Sequence, residues 1–555
     1  MNEKTKTGLE ILEAAILLGV LGDVLLRETL WGLNVLLFVG ALVAALAMLT
    51  LRRRSELFDS KIIALHVALV FFAAMFVWRD SAELKLFDGL AILSVLALLS
   101  LPVLKINVRV AGAIHYGFGA LWAGVNAAFA PFFLIFDDIK WKTIPQTGWS
   151  KHLIAVLRGL AIAAPILLVF GALFVAADAV FQGIVERTFN IQPDILVSHV
   201  ALAAFLAWIV GGYLRGSLMD GFTKDATDNL LENAGAVKLS PLSVTEEIKE
   251  EKTNAKTETK PPEEKKPRDW QNIDNSFISN VFTLGAIEIS VVLGLINLLF
   301  LSFVIVQIPY LFGGMDLVQN TPDFKLADYA RRGFGELVTV AALILPILLV
   351  SHWLLRKDSP TNEKIYRVLA GINIALLFVI MASATQRLFL LTGNLGYGLT
   401  TIRFYPMVVM VWLAVVFAWF CWTVLRGARQ HFAWGALWSA MIILGVLHVV
   451  NPDDFIARTN ISLMNEGRVF DARYNSDLSD DAVPVLLENV SSMNFEQQCT
   501  VKRKILNRLD KTDNEFDFRS WNWSRYRART QIINQQENLL IEGCPNYTQS
   551  YREDF

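Results

Sequence analysis

Asp328–Lys357 reads DYARRGFGELVTVAALILPILLVSHWLLRK, a charged and aromatic entry that runs straight into an apolar span. From Leu337 onward about twenty apolar positions are enough to cross a hydrocarbon core of roughly 30 Å. Arg331, Arg332 and Glu336 stand at the threshold of that span. The stretch therefore predicts one transmembrane helix with charge at its mouth.

The same apolar signature recurs along the chain, at 9–26, 30–51, 62–79, 86–104, 111–136, 156–178, 195–214, 284–308, 335–355, 365–390, 404–425 and 432–450. Composition agrees, since hydrophobic residues make up 54% and charged residues only 18% of the 555, far from a soluble average. The fold expected is all-α, a polytopic transmembrane bundle with a small C-terminal helical soluble domain. Its working environment is a lipid bilayer. A net charge of -2, with Lys and Arg dispersed among acids, argues against a nucleic-acid partner. After MNEKTKT come Glu10 and Glu13 without a small-residue cleavage site, so the first helix is expected to stay attached.

Basic residues beside spans face the cytoplasm. Lys4 and Lys6, Arg52 to Arg54, and Lys105 with Arg109 place the N-terminus there if the first four segments cross. Lys140, Lys142, Lys151 and Arg158 form a further basic group, followed by Arg215 with Lys224, Arg356 with Lys357, and Arg426 with Arg429. Both sets are satisfied only if an even number of crossings separates Arg109 from Lys140. Segment 111–136 is therefore expected to be re-entrant or interfacial, which Gly112, Gly117, Gly119 and Gly124 permit; an ordinary glycine-rich span is the other reading. The first reading gives about eleven crossings, a cytoplasmic N-terminus and an extracytoplasmic C-terminus.

Four regions follow: a front transmembrane half (1–214), a linker (215–272), a back transmembrane half (273–450) and an extracytoplasmic helical domain (451–555). The linker centres on Glu246–Asp269, EEIKEEKTNAKTETKPPEEKKPRD, a composition that cannot form a core and predicts disorder. In the last region Asn451-Pro452-Asp453-Asp454 and Ser479-Asp480-Asp481 cap two helices, Phe495 to Leu509 predicts a third and Arg519 to Leu540 a fourth.

Ionisable residues within a bilayer default to functional candidates. Asp178, His199, Glu336 and Arg387 share the outer leaflet in this topology, with Tyr329, Arg331 and Arg332 just above. They form either a structural pair of Glu336 with Arg387 or Arg332, or an outward-facing polar pocket. Glu288 sits in the inner half of its span, within expected reach of His352, as a proton or ion relay, as one half of a buried pair, or as a residue near enough to the interface to reach water. Asp137-Asp138 is the acidic pair a membrane transferase would use, on the wrong side in this topology. Ser520–Arg529, SWNWSRYRAR, suits lipid headgroups or glycans, or else packs the small domain through Trp521 and Tyr526. Phosphate-loop, HExxH, GxSxG and CxxC signatures are absent, so neither cofactor nor metal is expected. Cys499 and Cys544, alone together in the outer domain, predict one disulfide.

Several stretches resemble a bacterial membrane family known only as a domain of unknown function, of the 4153/4173 type: YARRGFGELVTVAALIL from Tyr329, RFYPMVVMVWLAVVFAWF from Arg403, NPDDFIARTNI from Asn451, LSDDAVPVLL from Leu478 and FRSWNWSRYRAR from Phe518. The likeness covers about 320–530. It implies a bacterial inner-membrane protein and brings no catalytic residue. The role expected is non-enzymatic transport or sensing of a small polar or anionic solute. The alternatives are a membrane scaffold or signalling protein whose outer domain meets a protein partner, and a membrane-embedded glycosyl or lipid transferase.

Overall fold

A computed structural model describes residues 3–55, 59–141, 193–219, 285–312, 334–356, 359–389, 392, 398–510, 517–539 and 544. In chain order the described membrane-domain helices are α1 (Glu3–Leu26), α2 (Leu33–Arg53), α3 (Ser60–Trp78), α4 (Ala82–Leu99), α5 (Ala113–Phe133), α6 (Pro193–Leu218), α7 (Ala286–Phe312), α8 (Phe334–Leu354), α9 (Pro360–Phe389), α10 (Thr401–Thr423) and α11 (Phe432–Val450). After them come α12 (Pro452–Asn465), α13 (Ala472–Asp477), α14 (Val483–Asn489), α15 (Phe495–Asp510), α16 (Trp523–Asn534) and α17 (Gln536–Leu539). Ten stretches among the described residues are helices long and apolar enough to cross a bilayer, from Leu33–Arg53 to Arg429–Val450. An all-α multi-pass bundle is the result. Helix α1, which carries Glu10, Glu13 and Asp23, is not among the ten. The expected segment 156–178 and nearly all of the linker lie outside the described residues.

Small residues let the front helices approach closely. Helices α1 and α6 run antiparallel, with Gly19 against Ala203 and Ala207, and Gly211 against Ala15. A Cβ on Gly212 would lie 2.3 Å from the Asn126 carbonyl oxygen, so only glycine permits the crossing of α5 over α6.

The path of α5 bears on the expected topology. Near its start Gly119 meets Ala97 and Leu101 at the end of α4, where the Ser100 hydroxyl donates to Gly119 O at 3.2 Å. Its middle reaches Trp208, whose indole donates to Ala128 O at 2.8 Å. Pro131 and a wide turn over Leu134–Asp138 follow, and Leu134 and Ile139 then pack on Gly8 at the start of α1. Both ends of α5 thus lie at one end of the bundle, the end where Arg53 pairs with Glu10 and Glu3. An even number of crossings between Arg109 and Lys140 requires that arrangement.

Two apolar clusters divide the molecule. One holds α7, α8, α9 and much of α10. The other joins the front helices to the C-terminal helices, with Phe72 and Phe76 of α3 in the same cluster as Val483, Leu486 and Ile505. Apolar packing therefore continues past Val450 without a break. Helices α10 and α11 contribute to both clusters.

The expected third helix is present as α15, but the expected caps are met only in part: Asn451 stands at the N-cap of α12 without a side-chain cap bond, and Ser479 caps a 3-10 turn, Asp480–Ala482, ahead of α14. Expected from Arg519, the fourth helix begins at Trp523, because Phe518–Ser520 is a single 3-10 turn and Asn522 is the N-cap, its side chain accepting from Arg525 N–H. Cys499, in the first turns of α15, is bonded to Cys544 with a Cα separation of 5.7 Å, the predicted disulfide.

Candidate functional site

Of the polar residues expected in the outer leaflet, Tyr329, Arg331, Arg332 and Asp178 lie outside the described residues. The backbones of Glu336, in the first turn of α8, and Arg387, in the last turn of α9, stand at the same end of two consecutive helices. His199 has a defined partner: its Nδ1 lies 2.6 Å from Asp23 Oδ2. Arg27 donates to the other Asp23 oxygen at 2.9 Å and to Ser198 Oγ at 2.7 Å. Glu288 is exposed at the start of α7, its carboxylate folded back over Gly285. His352 is buried against Tyr366, ring centroids 5.0 Å apart.

Asp137 and Asp138 serve different ends. Asp137 is largely exposed, with Lys4 at 3.3 Å. Asp138 is fully buried between Arg215 Nε at 2.5 Å and Lys4 Nζ at 2.8 Å. Held by two cations, this carboxylate ties the end of α5 to α1 and α6.

The most elaborate polar constellation lies at the opposite end, where the C-terminal helices meet the loop between α3 and α4. Asp481 has no exposed side-chain surface. Its Oδ1 accepts from Arg79 Nη1 at 3.2 Å and from the Ser524 hydroxyl. Its Oδ2 accepts from Asp80 N–H at 2.7 Å and Ser81 N–H at 3.3 Å. Four donors converge on this one buried carboxylate, which fixes their positions relative to one another.

Neighbouring bonds extend the seam. The Asn522 amide donates to the Phe76 and Arg79 carbonyls, each at 2.8 Å. Leu33 N–H donates to Trp521 O at 2.9 Å, an approach that leaves no room for a Cβ on Gly32. Arg525 reaches Trp31 O at 2.6 Å and Asp80 at 3.1 Å, while Arg519 binds Asp517 and Val24 O. Arg519–Arg529 therefore acts as a docking strip, to which Arg519 and Arg525 are committed. Tyr526, expected in the small-domain core, is 52% exposed, as is much of Trp523.

Below the seam, Arg79 Nε donates to His448 O at 2.8 Å. His448 and Asp88 are both buried, Nε2 to Oδ2 at 3.0 Å. His448 Nδ1 faces Leu444 O at 2.8 Å. Since a carbonyl only accepts, the Leu444 contact is a hydrogen bond when Nδ1 carries the ring proton. Ser81 Oγ lies 3.4 Å from the Tyr405 hydroxyl and donates to Glu83 at 3.1 Å. Beside the seam, Asp453 is buried and takes one bond from Ser479 N–H at 3.2 Å. Burial, with Glu83 and Asp481 nearby, pushes its carboxyl up to about 6.

Sequence reading passed over Arg79, Asp88 and His448, and took Asp481 only as part of a helix cap. Asp88 and His448 carried a usable signal, being ionisable residues inside apolar segments. Among the described residues, no group of three or more His, Cys, Asp or Glu side chains could hold a metal ion.

A family model described as a domain of unknown function (DUF4153) matches residues 66–489. The match reaches well into the front half, beyond the likeness expected from about 320, and it ends before the docking strip. No curated protein and no solved structure matches the chain.

Proposed function

The chain belongs to the DUF4153 family, and from that premise we propose that it is a non-enzymatic membrane sensor whose C-terminal helical domain and membrane helices report on each other through Asp481. The observation that carries this reading is the Asp481 seam, where one buried carboxylate joins α16, the α3–α4 loop and, through Arg79, the end of α11. Such a joint transmits displacement because its partners have few alternative ways to be satisfied.

The setting proposed is a bacterial inner membrane, with the N-terminus cytoplasmic and the C-terminal domain outside. Basic residues at the far end of the bundle and the Cys499–Cys544 bond in the C-terminal region support that orientation. The ligand class is a small polar or anionic solute. It is favoured by the Asp23, Arg27 and His199 cluster at the domain's end of α1 and α6, and by Glu336 and Arg387 at the matching ends of α8 and α9.

Hydrogen exchange with and without candidate anions, on protein in nanodiscs, tests the reading. A ligand should change protection at both 79–85 and 519–530 in the native chain, and at only one of them in Asp481→Asn. Solute flux in proteoliposomes that is lost with Arg387→Gln or Glu288→Gln would replace sensing by transport.

A further inference from the structure

Between α4, α10 and α11, on the boundary of the two apolar clusters, the side chains leave a cavity of about 270 Å³. Phe87, Ala91, Val408, Trp412, Ala440 and Leu444 are among its walls. The polar groups at its margin already have partners. Ser94 donates to Leu90 O at 2.7 Å, the Tyr405 hydroxyl meets Ser81, and the Trp412 indole donates to Ser439 Oγ at 3.2 Å. Water needs two to four polar partners to occupy such a space, and far smaller apolar cavities stay dry and take up apolar guests.

Its shape and place indicate the guest. Along α11 the cavity runs from Leu447 to Leu437, about 15 Å of helix and half of a hydrocarbon core of roughly 30 Å. It begins at the end of the bundle that carries the C-terminal helices, so it spans one leaflet. One wall residue, Leu90, is 51% exposed, and Leu93, Val411, Ile442 and Val446 beside the cavity are more exposed still. The cavity is thus continuous with the surface of the same helices that faces lipid.

We propose that this cavity is a binding site for one acyl chain of a bilayer phospholipid from the leaflet on the C-terminal domain's side, entering past Leu90 with the chain tip toward Trp412 and Leu437. The proposal rests on the sensor reading in one respect, that occupancy is felt at Asp481. Tyr405 at the upper end of the cavity meets Ser81, whose N–H is bound to Asp481. His448, next to the wall residue Leu447, holds Arg79 through its carbonyl. A chain that spreads α4 from α10 and α11 therefore pulls on two partners of the seam.

The full chain in vesicles of phosphatidylethanolamine and phosphatidylglycerol, doped with a phosphatidylethanolamine that carries a diazirine near the end of one acyl chain, provides the test. On photolysis, adducts should concentrate on Phe87–Ser94, Tyr405–Trp412 and Leu437–Leu447. Ala440→Phe and, independently, Ala91→Phe should each reduce those adducts at least fivefold without changing adducts on α7. Retention of the Cys499–Cys544 bond and a native-like thermal transition show that a variant has folded. Adducts spread evenly over all lipid-facing helices and indifferent to both variants would overturn the site. So would crosslinking between two copies through a cysteine placed at Leu93, which would make the occupant a second chain. If the adducts behave as expected but exchange at 79–85 is the same in Ala440→Phe as in the native chain, the lipid site stands and the sensor reading fails.

Discussion

Removing the Asp481 carboxylate should cost far more than an ordinary surface substitution, because Arg79, two backbone N–H groups and Ser524 all depend on it. Asp481→Ala leaves a partly buried guanidinium unpaired, at about 3–5 kcal/mol, and should lower the thermal transition of the detergent-solubilised protein by several degrees. Asp481→Asn keeps one of the two acceptor oxygens and should cost less than Asp481→Ala. Adding Arg79→Gln should recover part of the loss, and strictly additive effects would show that the two do not act as a pair. Asp453 makes a different prediction. Its carboxyl is raised from 3.8 to about 6 in the fold, first by burial, and burial raises neighbouring Asp480 as well. Between those two pH values the folded state binds more protons than the unfolded chain. The contribution of Asp453 is therefore full below pH 4 and lost as pH rises through 6, by about 3 kcal/mol. Asp453→Asn should flatten the pH dependence of the thermal transition between pH 4 and 7, narrowing the loss at pH 7 most. An unchanged slope would mean that the group titrates normally.

At the scale of the elements, hydropathy placed nearly every described membrane helix, because about twenty apolar residues leave a bilayer segment few alternatives. What the helices do to one another was less legible. Arg79 and Asp481 are 402 positions apart, and periodicity says nothing about such a meeting. Capping explains why α16 starts later than Arg519: Asn522 is its N-cap, and the amide of the same residue also reaches the end of α3. Helix α5 is the sharpest case, since by length and hydropathy Ala113–Asp138 qualifies as a crossing, yet both its ends contact the same end of the bundle. The basic loops and the hydropathy therefore make opposite predictions for this segment. Cysteines introduced at the exposed positions Arg109 and Lys140, in a Cys421→Ser background, should be labelled by an impermeant maleimide from the same side. Labelling from opposite sides would make α5 a single crossing and would break the topology.

On the scale of the whole molecule, orientation can be tested through cysteine chemistry that geometry has already paired. The 45-residue separation closed by Cys499 and Cys544 should contribute about 3–4 kcal/mol by restricting the unfolded chain, on the loop-entropy account. Such a bond forms and persists on the oxidising side of a bacterial inner membrane and is rare in the cytosol. The remaining cysteine, Cys421, is free. Protein extracted without reductant and denatured should therefore take up one maleimide tag, and three after reduction. A periplasm-active reporter fused after Leu539 should be active, and the same reporter at the N-terminus silent. Three tags before reduction together with a silent C-terminal fusion would place the C-terminal helices in the cytosol. The Asp481 seam would then stand at the cytosolic membrane surface, and an extracytoplasmic solute would have no route to it.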